Sequence, residues 1–164
     1  QRYHTENTDI HPDSASYTTV INAWSRSRAS NAVKRAEEVV RWAEEAQGRG
    51  DLDVKLNTLT YNSMINCYAK SSIPDAADRA LSVLEMLKAR SFDEKNLQCA
   101  PDIVTYTSVI EALAKKSTLE ASEKAEALLN EIETAFEQSR DTRLKPNIRT
   151  YTSVVNAIGR SGKQ

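Results

Sequence analysis

A tyrosine returns at near-constant intervals along this 164-residue chain: Tyr17, Tyr61, Tyr106 and Tyr151 lie 44, 45 and 45 residues apart. Its surroundings return with it. Ser16-Tyr17-Thr18-Thr19-Val20-Ile21-Asn22 is echoed by Thr60-Tyr61-Asn62-Ser63-Met64-Ile65-Asn66, by Thr105-Tyr106-Thr107-Ser108-Val109-Ile110-Glu111 and by Thr150-Tyr151-Thr152-Ser153-Val154-Val155-Asn156. A fixed period of roughly 20–50 residues marks a chain of stacked units that bury their apolar faces against one another. Such an array binds along an extended surface and does not usually build one catalytic pocket.

Within each unit the spacing predicts two helices. Counted from the tyrosine as zero, apolar residues stand at +3, +4 and +7: Val20, Ile21, Trp24; Met64, Ile65, Tyr68; Val109, Ile110, Leu113; Val154, Val155, Ile158. This draws one stripe down an amphipathic helix. Position +6 is always small (Ala23, Cys67, Ala112, Ala157), which lets a neighbouring helix come close. A second helix follows, with alanine at +15 (Ala32, Ala76, Ala121) and +19 (Ala36, Ala80, Ala125), then Val39-Val40, Val83-Leu84 and Leu128-Leu129, then Ala43, Leu87 and Ile132 at +26. Pro74 suits a first helical turn, and Gly48 and Gly50 suit the end of the first of these second helices. In the third unit helical composition runs on to about Phe136. Past +26 the copies diverge. The expected fold is an all-α solenoid of helix-turn-helix repeats, three complete units plus one extra helix. Its units fall at about 13–56, 57–101, 102–146 and 147–164, after a flank over 1–12. The unpaired last helix reads as part of a longer array.

Three units open with Pro12-Asp13, Pro101-Asp102 and Pro146-Asn147; the other keeps Asn57 but has Leu56 in place of proline. Pro101-Asp102-Ile103-Val104-Thr105-Tyr106-Thr107-Ser108-Val109-Ile110 resembles the start of a pentatricopeptide repeat, and Ala76-Ala77-Asp78-Arg79-Ala80 resembles its second half. The likeness covers 12 to about 160 apart from the linkers. These units are longer than that family's usual one, the surplus falling in an extended second helix and the linker. HEAT-type helix pairs would fit the period alone; the Pro-Asp/Asn…Thr-Tyr-Thr/Asn-Ser pattern selects the pentatricopeptide likeness.

The resemblance implies single-stranded RNA binding at one base per repeat, read by two or three side chains. The implied readers are the residue after the tyrosine and the Asp/Asn after the next proline: Thr18 with Asn57, Asn62 with Asp102, Thr107 with Asn147. Thr152 opens a further pair and Asp13 closes an earlier one. In the family, Thr/Asn resembles an adenine reader and Asn/Asp a uracil reader, which implies an A-U-A core. Short polar side chains on an exposed helical edge could reach a Watson–Crick face. The same Asp and Asn are also favoured N-caps whatever else they do. Bases would be clamped by the residue two before the tyrosine: Leu59, Val104 and Arg149, with Ala15 offering little surface.

Charge is divided. Segments 14–29, 58–72, 103–117 and 148–164 hold eight Lys/Arg against Glu111 alone, while the rest carries net −8 within an overall −1. Arg26, Lys70, Lys115 and Arg160 recur at +9 as candidate phosphate contacts, a placement that also suits helix C-termini. Nothing in the sequence suggests an enzyme, a cofactor, a metal site or a small-molecule substrate. His4 and His11 sit in the flank, and no apolar run approaches the roughly 20 residues of a membrane span. Cys67 is expected in the core. Two readings stand: an RNA-binding module of an organellar RNA-processing factor, in mitochondrion or plastid as the resemblance implies, or a helical-repeat scaffold for a protein partner.

Overall fold

The computed structural model describes residues 12–27, 29–51, 53–93 and 97–162. The expected flank with His4 and His11 lies outside these apart from Pro12, as do Arg28 and Lys163. Among the described residues there are seven α-helices and no strand: α1 (Ser14–Arg26), α2 (Ala32–Gly48), α3 (Thr58–Lys70), α4 (Ala76–Asp93), α5 (Ile103–Lys116), α6 (Leu119–Ser139) and α7 (Ile148–Ser161). Two 3-10 turns, Leu97–Cys99 and Thr142–Leu144, precede α5 and α7. The odd-numbered helices stack in a row, α1 on α3 on α5 on α7, and each even-numbered helix packs on its predecessor and its successor. This is an all-α solenoid of helix pairs.

Local chemistry sets the boundaries. Asp13, Asn57, Asp102 and Asn147 cap the four first helices, each accepting from a backbone N–H in the first turn, as orphan amides there require. Helix α2 ends at Gly48, and Gly50 follows at φ +86, a left-handed turn that glycine adopts without steric cost. Pro74 lies in the turn two residues ahead of α4, and α6 runs to Ser139, three residues past the expected Phe136.

The recurrent positions divide by the neighbour they face. Tyrosine, +4 and +7 are buried where an even-numbered helix follows as well as precedes: Tyr61, Ile65 and Tyr68, or Tyr106, Ile110 and Leu113; on α1, with α2 alone, Ile21 is buried and Tyr17 and Trp24 are half-buried. On α7, which no even-numbered helix follows here, Tyr151, Val155 and Ile158 are exposed. Positions +3 and +6 face the preceding first helix. Met64, Cys67, Val109, Ala112, Val154 and Ala157 are buried, while Val20 and Ala23 on α1 are exposed. The core from the second helices is Ala36, Ala43, Ala80, Leu84, Leu87, Ala125 and Ile132, all fully buried.

The linkers share more than their sequences suggest. Seven residues before the tyrosine stand Val54, Cys99 and Leu144; the first two are buried and the third is half-buried against the core. The first two linkers are tied by hydroxyls at the helix start. Ser14 Oγ accepts from Lys55 N (2.7 Å), and Thr58 Oγ1 lies 2.8 Å from the Ala100 carbonyl.

This division of burial makes a sharp contrast. Leu87→Ala empties a fully buried site and should cost about 2–5 kcal/mol. Phe92→Ser, at a side chain 86% exposed, should change stability by no more than about 0.5 kcal/mol. Urea unfolding followed by circular dichroism measures both.

Candidate nucleic-acid interface

Successive first helices meet through polar side chains, and those side chains include every pair singled out in the sequence. At the α3–α5 junction Asn62 Nδ2 donates to Asp102 Oδ1 (3.0 Å), so the two members touch. Thr105 joins them: its Oγ1 lies 2.6 Å from Asn62 Oδ1 and 2.9 Å from Asp102 Oδ1. At α1–α3, Thr18 Oγ1 lies 2.9 Å from Thr60 Oγ1, and Thr60 in turn bonds Asn57 through its backbone N–H at 3.2 Å. At α5–α7, Thr107 Oγ1 lies 2.9 Å from Thr150 Oγ1, and the Thr150 N–H donates to Asn147 Oδ1 at 3.2 Å. Two of the three pairs therefore connect through a third residue. Asp13 and Thr152 stand apart at the two ends. Asp13 caps α1 through Ser16, whose hydrogen bonds lower its carboxyl pKa; Thr152 donates to the Ile148 carbonyl.

Thr18, Asn62 and Thr107 do not lie on an exposed helical edge as expected. They are only 8%, 7% and 4% exposed. The first turn of the next first helix covers them, so they form the floor of a groove between helices. Thr152, with no such helix over it, is exposed.

The clamp positions are open. Leu59 and Val104 are 62% and 54% exposed, flanking the Asn62–Asp102 pair, and Ala15 is exposed beside Thr18. Arg149 is held. It meets Glu111 of α5 in a two-pronged ion pair, Nε to Oε1 at 2.7 Å and Nη2 to Oε2 at 3.0 Å, which raises its pKa. Position +5 is asparagine in the other units (Asn22, Asn66, Asn156), so this latch belongs to one junction only.

The +9 cations line the C-terminal ends of the first helices. Lys115 Nζ lies 3.3 Å from the Ser71 carbonyl, and Arg160 Nη1 lies 3.3 Å from the Ala114 carbonyl. Burial lowers the Lys115 pKa, and the positive charge of Arg160 lowers it further. Arg26 and Lys70 are exposed and border a cavity of about 720 Å³ with Trp24, Val33 and Ile73 on its walls.

Other functional groups settle into structural roles. Burial pushes the Cys67 thiol up to about 11, with the charge of Glu37 adding to the effect, so it stays protonated at neutral pH. Among the described residues no group of three or more His, Cys, Asp or Glu could hold a metal, and no helix is long and apolar enough to cross a membrane. Sequence reasoning missed Thr60, Thr105 and Thr150 as members of the junctions. The signal for them is a hydroxyl before the tyrosine in every unit, Ser16, Thr60, Thr105 and Thr150.

Two family models match the chain. A PPR repeat matches residues 59–92 and a pentatricopeptide repeat domain matches 89–161, so that together they span 59–161. No curated protein matches it.

Glu111 is the single acid among the first-helix segments and is paired with Arg149, a candidate base-stacking residue. Glu111→Gln should strengthen binding of any single-stranded RNA about two- to threefold at low salt, a gain that fades as salt screens it. Stability should move by about 1 kcal/mol or less, because the Arg149 side of the ion pair is 65% exposed and screened by solvent. Fluorescence anisotropy and a melting curve read the two effects.

Proposed function

Because this chain belongs to the pentatricopeptide repeat family, whose members are RNA-binding repeat proteins typically without catalytic activity, we propose that it reads single-stranded RNA at one base per junction. The core is A-U-A: Thr18 with Asn57 and Thr107 with Asn147 read adenine, and Asn62 with Asp102 reads uracil. Asp13 and Thr152 contribute to the bases on either side. What carries this reading is a polar pair at each of three successive junctions, tied by hydrogen bonds.

The parts suit that task. Each pair keeps hydrogen-bonding capacity for a base: among the described residues nothing bonds Asp102 Oδ2, Asn57 Nδ2 or Asn147 Nδ2. Leu59 and Val104, both exposed, stack on the faces of the middle base in this reading, and the guanidinium plane of Arg149 serves the third base once it leaves Glu111. Arg26, Lys70, Lys115 and Arg160 supply the phosphate contacts. Four such contacts imply that log K falls with log salt at a slope near −2.8, about −0.7 for each phosphate on a single strand.

The alternative, a scaffold whose acidic second helices hold a basic protein, has less to stand on. Many of those acids are already matched within the fold: Glu37 with Arg79, Glu44 with Arg90, Asp78 with Lys116, Glu131 with Lys88. The basic first helices have few internal acids to meet. By the same family membership we place the protein in mitochondrial or plastid RNA processing.

The chain should bind an A-U-A-containing RNA more tightly than oligo-C; equal affinities would sink base reading. The double variant Asn62→Thr, Asp102→Asn should move the preference at the middle base from uracil toward adenine. Competition titrations that vary the middle base alone would show the shift.

A further inference from the structure

A buried hydroxyl at each junction has no place in the pairwise reading of bases. Thr60, Thr105 and Thr150 have no exposed surface, yet each bonds across to the preceding helix and down to its own N-cap. We propose that these threonines are positioning residues which fix the atom of each reader that donates and the atom that accepts. Base identity is then set by the polarity of a three-residue relay, of which the reader pair is only part. This inference rests on the RNA reading of the junctions.

The middle junction shows how. A carboxylate can only accept, so the Asn62 amide must turn its nitrogen toward Asp102, at 3.0 Å, and its oxygen toward Thr105. Thr105 has one hydroxyl proton. Asp102 Oδ1 already receives the Thr105 backbone N–H at 2.9 Å and the Asn62 amide, so that proton goes to Asn62 Oδ1 at 2.6 Å. The Asp102 backbone N–H fills a lone pair of the same hydroxyl at 3.1 Å. Asn62 is thereby tied at both ends. It keeps one N–H and one oxygen lone pair, each in a set place. Uracil presents an acceptor O4 beside a donor N3–H, and cytosine presents the reverse. An amide held in one orientation can satisfy only one of them in a given pose, while an amide free to rotate serves both.

The first junction follows the same logic with different atoms. The Ser14 carbonyl, 2.8 Å from Thr18 Oγ1, cannot donate and so takes the Thr18 proton. Thr60 must then be the donor in the 2.9 Å contact between the two hydroxyls. Thr18 is left with acceptor capacity alone. Asn57 uses its Oδ1 to cap α3, which leaves its Nδ2 as a donor. An acceptor beside a donor matches the N6 amino group and N1 of adenine, and opposes O6 and N1–H of guanine.

The test compares the full 164-residue chain with Thr105→Val and Thr105→Ser on two RNAs that differ only in the middle base, A-U-A and A-C-A. The wild-type chain is expected to prefer uracil. Thr105→Val keeps the side-chain shape and removes the hydroxyl; it should narrow that preference by about fivefold, and Thr105→Ser should retain it. Melting curves show whether each variant folds, and should Thr105→Val not fold, Thr105→Ala carries the same comparison at the same base. A valine variant that keeps the full preference, or that loses affinity equally for both RNAs, overturns the relay and leaves these threonines purely structural. A wild-type chain indifferent to the middle base overturns the RNA reading itself, a different result from either.

Discussion

The contact between successive first helices is the constraint on which the rest of this structure depends. It is close because position +6 is small, and it is directional because each side of the helix has one neighbour. Residues at −1, +3 and +6 look back, those at +1 look forward, and the tyrosine, +4 and +7 look to the second helices on either side. The two ends demonstrate the rule. On α1 the backward-facing Val20 and Ala23 are bare, while on α7 the bare residues are Thr152, Tyr151, Val155 and Ile158. Valine and alanine or cysteine at the backward-facing positions are bare or buried according to the presence of a neighbour. Stability in such a chain is a sum over junctions, and so is whatever the junctions bind.

The tyrosine adds registration to that stacking. In each junction it meets position +27 of the preceding second helix, and that position is Glu44, Lys88 or Glu133. Glu44 and Glu133 accept from the phenols of Tyr61 (3.0 Å) and Tyr151 (2.8 Å). Lys88 instead lies over the Tyr106 ring, 5.6 Å from its centre, and Tyr106 finds its acid at Glu131, 2.7 Å away and itself paired with Lys88. Around Tyr61 the cation is Arg90, over the ring at 5.3 Å and bonded to the hydroxyl. Acid and cation exchange elements between the two junctions while the phenol stays between them. Burial first, and the neighbouring acid second, raises the pKa of both Tyr61 and Tyr106, so both stay neutral as donors throughout the physiological range.

Much of this was legible in the sequence, and the parts that were not have physical reasons. Helix number, order and apolar faces followed from the 3.6-residue spacing at +3, +4 and +7, because burial on one side of a helix leaves that period in the chain. Caps at Asp13, Asn57, Asp102 and Asn147 followed from residue type. The burial of Thr18, Asn62 and Thr107 did not follow, because their covering comes from a helix 40 residues further on and hydroxyls and amides carry no apolar signature. Nor did the linker anchors Val54, Cys99 and Leu144. One apolar residue in a divergent stretch has no periodicity to betray it. The Arg149–Glu111 latch joins two residues whose repeat positions elsewhere hold apolar side chains and asparagine, and only their proximity reveals a pair.

The unit length of 44–45 residues then reads as a question of where extra chain can be placed without disturbing the junction. The groove between first helices uses only −7 to +9, and the second helix makes its last contacts with its neighbours by about +30, through Ala46, Gln47 and Arg90. Residues added beyond that point lengthen the outer helix, as in α6, or fold into a short 3-10 turn, and neither touches the floor of the groove. What they could disturb is the point at which the chain re-enters the next first helix. Val54 and Cys99, both buried, and the half-buried Leu144 fix that point ahead of α3, α5 and α7, and the ties from Ser14 and Thr58 to the linker backbone hold it again in the first two linkers. Re-entry is thus set by contacts to the solenoid rather than by linker length, which is why a tyrosine can return after 44 residues once and 45 twice with its neighbours in the same geometry.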